Sequence, residues 1–190
     1  MKIKICGLKN SVDVDYVNEA MPDYIGFVFA ESKRRISPET AMEYRKRLNP
    51  KIIAVGVFVN AKISLILQLR SAGVIDVAQL HGNESETYIS ELKQACDIPV
   101  IKALSAGASY PANADYLLFD NGKGGSGKSF DWSAIPKCDK DYFLAGGINL
   151  SNIEEAVKLN PYCIDLSSGA ETNGAKDRDK IMQIAKIVKG

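Results

Sequence analysis

Histidine is nearly absent from this chain: His81 is the only one in 190 residues. We therefore expect neither a multi-histidine metal site nor a catalytic triad built on a histidine base. Four cysteines are present, but none shows the C-x-x-C spacing of a zinc site or a redox motif. Any chemistry must use other groups, and we expect no bound metal.

An excess of charge is also missing, because 24 basic and 23 acidic residues leave a net charge of +1. Such a balance does not attract nucleic acid or anionic membranes, so neither is an expected partner. No apolar run approaches membrane length, and the chain opens with the strand-like MKIKIC rather than a signal peptide. We expect a cytoplasmic protein.

Eight short apolar runs are what the sequence does contain, and their starts lie 16 to 29 residues apart. That spacing is too wide for hairpins but suits repeated strand, loop and crossover helix units. It predicts a (βα)8 TIM barrel forming a single compact domain over residues 1–190, with a doubly wound open sheet as the alternative. The runs are Ile3–Cys6, Tyr24–Phe29, Ile53–Val59, Val77–Leu80, Val100–Leu104, Tyr116–Asp120, Tyr142–Ala145 and Cys163–Leu166.

Helix signals occupy most of the intervening segments. Ser37, Pro38 and Glu39 form a typical helix start, and apolar residues at helical spacing end at Gly73. Further helical stripes follow in segments 85–95, 151–159 and 179–189. Segment 105–115 has only eleven residues and includes glycine and proline. We predict that the helix between strands five and six is short or missing.

A phosphate-loop pattern, GKGGSGKS, spans Gly122 to Ser129 and suggests a nucleotide hydrolase. A working phosphate loop needs a long helix that begins at its Lys-Ser pair. Pro136 would break such a helix within about two turns. The nucleotide hydrolase is therefore the alternative hypothesis, and the carboxyl of Asp120 is the more promising group in this region.

Catalytic residues of such barrels lie at the carboxyl ends of the strands. Cys6 ends strand one and Asp120 ends strand six, which suits an acid and base pair. A thiol acts as a base if a nearby positive charge lowers its pKa, and a carboxyl acts as an acid if burial raises its pKa. The alternatives are a small buried hydrophobic residue at Cys6 and a turn-initiating cap at Asp120.

Other residues at the same end suggest binding of an anionic substrate. Small residues after strands seven and eight, at Gly147 and at Ser168 and Gly169, favour a phosphate site, although each group could also be an ordinary turn or helix cap. Arg34 could hold a carboxylate or lie in a solvated loop. His81 could donate to substrate or cap the helix that begins near Ser85.

The order of these motifs resembles the phosphoribosylanthranilate isomerase family of tryptophan biosynthesis. The resemblance covers nearly the whole chain and rests on KIKICGL, GFVFAESKRRISPE, VGVFVN, VAQLHGNE, Asp120 followed by GGSGKSFDW, AGGIN and IDLSSGAE. It implies a small (βα)8 barrel that converts N-(5-phosphoribosyl)anthranilate to 1-(2-carboxyphenylamino)-1-deoxyribulose 5-phosphate. That reaction is an Amadori rearrangement, and the resemblance implies no cofactor and no metal.

The resemblance also implies roles for individual residues. Cys6 resembles the general base, Asp120 the general acid, and Arg34 the ligand of the anthranilate carboxylate. Phosphate would bind around Gly147, Ser168 and Gly169. Arg35 stands where the family often has an aromatic residue, so two arginines compete for the carboxylate, and register within the motif favours Arg34. A non-catalytic phosphosugar-binding barrel is a further alternative, and the oligomeric state is left open.

Overall fold

Eight parallel strands close into a barrel in this computed structural model, which describes residues 1–105, 107–120 and 131–190. Strand eight pairs with strand one in parallel register, so the sheet has no free edge. The predicted barrel is confirmed, and the open-sheet alternative is wrong. The strands are β1 (Lys2–Cys6), β2 (Tyr24–Val28), β3 (Ile53–Phe58), β4 (Val77–Leu80), β5 (Val100–Ser105), β6 (Tyr116–Asp120), β7 (Tyr142–Leu144) and β8 (Cys163–Leu166).

Six α-helices occur within the described ranges. They are α1 (Ser11–Ala20), α2 (Pro38–Arg47), α3 (Ile63–Ser71), α4 (Glu86–Ala95), α5 (Ile153–Lys158) and α6 (Arg178–Lys189). The predicted start of α2 is confirmed, because Ser37 Oγ accepts a hydrogen bond from the Thr40 N–H at 3.2 Å. None of these helices has the length and apolar character needed to cross a membrane.

The connections on either side of β6 differ from the other strand-to-strand connections. Between β5 and β6, residues 107–115 contain turns and no helix, as predicted. After β6, the phosphate-loop pattern at 122–129 lies outside the described residues. The chain is described again from Asp131, where a 3-10 turn covers Trp132–Ala134 and no helix follows before β7. Segment 131–141 therefore holds no long helix of the kind a phosphate loop requires.

Helix α1 has no counterpart in the sequence predictions. Only Val14 and Val17 supply buried apolar side chains, so its hydrophobic stripe is short. Asn10 is the N-cap, and the fully buried Asp13 in the first turn supports it: Asp13 Oδ2 accepts the N–H groups of Lys9 at 2.9 Å and Asn10 at 2.9 Å. The capping box formed by Asn10 and Asp13 was the local sequence signal from which this helix could have been predicted.

The barrel interior has an apolar lower part and a polar upper part. Inward-facing side chains of successive strands form an apolar cluster that includes Val55, Ile101 and Leu118. At the amino ends of the strands, the hydroxyls of Tyr24 and Tyr162 hydrogen-bond at 2.9 Å and close the lower end. The outward-facing residues of the same strands pack against the helices in a second cluster.

A buried ion pair lies above the apolar cluster, inside the barrel. Lys4 of β1 is paired in register with Asp165 of β8, and Lys4 Nζ lies 2.8 Å from Asp165 Oδ2. The side chains are 0% and 6% exposed. Charged groups at such depth are tolerated because each neutralises the other. The ion pair therefore joins the two strands that close the barrel, directly below the polar groups at its upper end.

We expect Asp165→Asn to destabilise the fold, because it leaves the Lys4 ammonium buried without its counter-charge. The cost should be about 3–5 kcal/mol of unfolding free energy, measured by urea denaturation at pH 7. Asp15→Asn is the matched control, since it removes the exposed 2.6 Å pair between Asp15 and Arg47. Equal unfolding midpoints for the two variants would contradict the importance of the buried pair.

Candidate active site

A cavity of about 180 Å³ opens at the carboxyl ends of the barrel strands. A larger open depression of about 710 Å³ adjoins it and shares His81 and Asp120 with it. Of the predicted site residues, only Gly169 does not line the smaller cavity. The six that do are Cys6, Arg34, His81, Asp120, Gly147 and Ser168.

Cys6 is the last residue of β1 and faces the same interior as Lys4, two residues earlier. Burial raises the pKa of the Cys6 thiol, and the ammonium of Lys4 is the largest influence lowering it. The Asp165 carboxylate raises the pKa further, whereas Lys176 lowers it. The net shift is upward, so the ligand-free site holds a protonated thiol beside two cations that favour its thiolate.

Asp120 ends β6, is 7% exposed and faces His81. The side-chain amide of Gln79 donates to His81 Nδ1 at 3.0 Å, which places the imidazole proton on Nε2. That nitrogen lies 3.4 Å from Asp120 Oδ2. His81 therefore directs a weak donor toward Asp120 from the cavity wall. The side chain that caps α4 is that of Ser85, so His81 is not the helix cap.

Arg34 lies in the loop after β2 and is 5% exposed. Its Nε and Nη2 atoms donate to Glu171 at 2.6 and 2.8 Å. Lys176 Nζ donates to the same carboxylate at 2.8 Å, so one acid contacts two cations. Arg35, in contrast, is exposed and pairs with Glu31. Between the two candidate arginines, Arg34 is the one buried beside Cys6.

The loops after β7 and β8 touch through their backbones. A Cβ on Gly169 would lie 1.9 Å from the carbonyl oxygen of Ile148, so no larger residue fits without moving a loop. Gly147 adopts a φ of +69°, and its carbonyl accepts the side chain of Asn149 at 2.9 Å. Neither the Gly147 nor the Gly169 N–H donates to another described residue. These N–H groups suit an anionic ligand.

Two of the buried side-chain acceptors that have no donor within the described residues lie at the cavity. They are Oε1 of Gln79 and Oδ1 of Asp165, and both residues line the cavity. Buried acceptors in proteins normally have a partner, so this wall suits a ligand with hydroxyl groups. Within the described ranges, no group of three or more His, Cys, Asp or Glu residues could hold a metal ion.

The arrangement of motifs on the barrel is matched by one family model. Residues 3–187 match the model described as N-(5'phosphoribosyl)anthranilate (PRA) isomerase. The chain belongs to this family. Membership in the PRA isomerase family makes the chain an enzyme, an isomerase of tryptophan biosynthesis. The prediction drawn from its motifs is confirmed.

Curated PRA isomerases resemble the chain over its full length. The protein named N-(5'-phosphoribosyl)anthranilate isomerase from Endomicrobium trichonymphae is 52% identical over 196 residues, covering 99% of this chain and 98% of that protein. The protein of the same name from Lacticaseibacillus paracasei is 46% identical, covering 98% of this chain and 94% of that protein.

Solved PRA isomerase structures share the fold. The Thermus thermophilus structure has a TM-score of 0.88 and 31% identity, covering 100% of this chain and 98% of that chain. A PRA isomerase solved in complex with reduced 1-(o-carboxyphenylamino)-1-deoxyribulose 5-phosphate has a TM-score of 0.80 and 32% identity. This chain is covered in full and that chain to 99%.

Four charged residues around the site were not singled out from the sequence. Lys4 and Asp165 flank the thiol from below, and Glu171 and Lys176 flank Arg34. The first two carried a signal, because a charged residue inside a buried strand needs a partner. Glu171 and Lys176 are brought together by the short hairpin of Glu171–Thr172 and Ala175–Lys176. No motif predicted the contact between them.

We expect alkylation of Cys6 by iodoacetamide to accelerate with pH well into the alkaline range. A raised thiol pKa means that the thiolate fraction grows about tenfold per pH unit below that pKa. Peptide mapping by mass spectrometry should show a Cys6 rate still rising above pH 9, where glutathione levels off. A plateau below pH 8 would show an activated thiolate in the free protein instead.

Proposed function

We propose that the chain converts N-(5-phosphoribosyl)anthranilate to 1-(2-carboxyphenylamino)-1-deoxyribulose 5-phosphate, with Asp120 as general acid and Cys6 as general base. The observation that carries this assignment is one cavity lined by a thiol, a carboxyl and a buried guanidinium. These are the groups that the acid, the base and a substrate carboxylate require. The nucleotide hydrolase hypothesis, which rests on the phosphate-loop pattern alone, gives no role to the thiol, the carboxyl or the guanidinium.

The first step opens the sugar. The Asp120 carboxyl gives its proton to the furanose ring oxygen as the C1–O bond breaks, and the nitrogen lone pair forms a Schiff base with C1. The 3.4 Å approach of His81 Nε2 supports the carboxylate that the step leaves behind.

The second step removes the C2 proton. The Cys6 thiol first loses its own proton to solvent, and the resulting thiolate takes the C2 proton. The C2–H electrons form the C1–C2 double bond of an enolamine, which then tautomerises to the ketone. Lys4 and Lys176 both lower the pKa of Cys6, so they stabilise the thiolate against the cost of burial. General acid and base catalysis each supply about 10² to 10⁴ in rate.

Binding groups surround this chemistry on three sides. Arg34, in the loop after β2, is the ligand of the substrate carboxylate, because it is buried at the cavity whereas Arg35 pairs with Glu31 outside it. The N–H groups near Gly147, Ser168 and Gly169 fit the phosphate. The acceptors of Gln79 and Asp165 fit the sugar hydroxyls between them.

We also propose that residues 1–190 form one barrel domain. The first and last elements support this assignment, because β1 pairs with β8 and α6 packs against both β1 and α1. No step of the proposed reaction calls on a cofactor or a metal, and the proposed ligand is one phosphorylated, carboxylated small molecule.

We expect Asp120→Asn and Cys6→Ala each to lower kcat by about 10² to 10⁴, with much smaller changes in KM. Each variant removes a proton-transfer group and leaves the carboxylate and phosphate contacts in place. Substrate made from anthranilate and phosphoribosyl pyrophosphate by the preceding enzyme would be followed by loss of its fluorescence. Asp141→Asn and Cys138→Ala are controls that change the same residue types outside the cavity.

Three outcomes separate the alternatives. Near wild-type turnover in Asp120→Asn or Cys6→Ala would remove that residue from its role. Tight ligand binding without turnover by the wild type would favour the non-catalytic barrel. Magnesium-dependent ATP binding that Lys128→Ala abolishes would favour the nucleotide hydrolase.

A further inference from the structure

Arg34 reaches its carboxylate partner by crossing the cavity mouth over β1. Its aliphatic stem lies against Gly7, where a Cβ would be 2.4 Å from Arg34 Cδ. Its guanidinium then meets Glu171 beyond β8. The side chain thus spans from the loop after β2 to the hairpin after β8, and both ends of this span are fixed.

The guanidinium has two edges that can each hold a carboxylate, and Glu171 occupies only one. Nε and Nη2 form the side edge and donate to Glu171 Oε1 and Oε2. The end edge, formed by Nη1 and the second N–H of Nη2, is not used by this pair. Because the group is planar, fixing the side edge also fixes the plane of the end edge.

We propose that Glu171 is a positioning residue that holds Arg34 so that the end edge of its guanidinium receives the substrate carboxylate. This inference rests on the proposed function, in which Arg34 is the carboxylate ligand. Glu171 is then a support for the binding group and not a competitor of the substrate. Its own backbone is anchored, because its carbonyl accepts Lys180 Nζ at 2.8 Å.

Lys176 gives this arrangement the correct charge. Arg34 and Glu171 alone would form a neutral pair with little attraction for an anion. Lys176 Nζ lies 2.8 Å from Glu171 Oε1 and also donates to the Ser167 carbonyl at 3.1 Å. The three groups together carry one net positive charge, which matches one carboxylate.

The Glu171 carboxylate persists at neutral pH. Burial opposes its charge, but the guanidinium of Arg34 and the ammonium of Lys176 outweigh burial and lower the pKa of Glu171 to about 2. The support for Arg34 is therefore present under all conditions in which the enzyme is assayed near neutrality.

The test compares two ligands by titration calorimetry. One is reduced 1-(o-carboxyphenylamino)-1-deoxyribulose 5-phosphate, and the other is the same compound with an unsubstituted phenyl ring. We expect Glu171→Gln to weaken the carboxylated ligand about tenfold and to leave the phenyl ligand unchanged, because only one ligand uses the positioned edge. In turnover, KM should rise about as much while kcat is retained.

Glu19→Gln is the matched control. It removes a two-contact pair with Arg178 on the protein surface, and it should leave both affinities unchanged. Equal loss of both ligands in Glu171→Gln would show general damage to the site, and unchanged affinity for both would show that Arg34 needs no support. Either result overturns the inference.

Two further variants keep the test decisive. If Glu171→Gln does not fold, Lys176→Gln should also weaken only the carboxylated ligand, and equal or no loss there would overturn the inference. Arg34→Ala separates this inference from the proposed function. If Arg34→Ala does not discriminate between the two ligands, the carboxylate role of Arg34 fails. If it does discriminate and Glu171→Gln does not, only the role of Glu171 fails.

Discussion

The pairing of β1 with β8 is the contact on which the site depends. It closes the barrel, and its register places Lys4 opposite Asp165 beneath the thiol of Cys6. The same seam continues above the strands, where Ser167 Oγ donates to the Cys6 carbonyl at 3.2 Å. A shift of one residue along this seam would turn Asp165 away from the interior. The electrostatics of the thiol are thus a property of barrel closure.

Around the cavity mouth, the charges are buried as pairs or as a triad. Lys4 contacts Asp165, while Arg34 and Lys176 share Glu171. Desolvation would be prohibitive for any of these groups alone, and the opposite charges offset it. The unpaired groups are instead the polar acceptors and backbone N–H groups that face the cavity. Because the charges are paired with one another, the acceptors and N–H groups of the cavity wall can hydrogen-bond to a ligand.

Much of the fold could be predicted from local sequence because each strand of this barrel is a short apolar run. All eight predicted runs coincide with strands to within one residue at either end. Helix α1 escaped prediction because the capping box of Asn10 and Asp13, rather than a hydrophobic stripe, defines its start. The rim position of Cys6 and Asp120 followed from counting strands, since parallel strands bring their carboxyl ends together.

The electrostatic partners could not be predicted in the same way. Lys4 and Asp165 meet across 161 positions of sequence, and Arg34 and Glu171 across 137. No local pattern encodes a contact of that range, and only the closed barrel brings the partners within hydrogen-bond distance. Register within the motif favoured Arg34 over Arg35, but the sequence did not show the contact that separates them. The difference between them lies in Glu171, which the sequence places far away.

At the opposite end of the barrel, aromatic rings fill the space that polar groups fill at the top. Tyr24 packs edge-on against Phe143 with centroids 5.4 Å apart, and Tyr116 stacks on Tyr162 at 5.2 Å. Lys2 lies over two of these rings. β1 therefore carries Lys2 at the aromatic end and Cys6 at the catalytic end. The two ends are about 13 Å apart along β1, so substitutions in the aromatic floor change the stability of the barrel largely independently of the groups at its mouth.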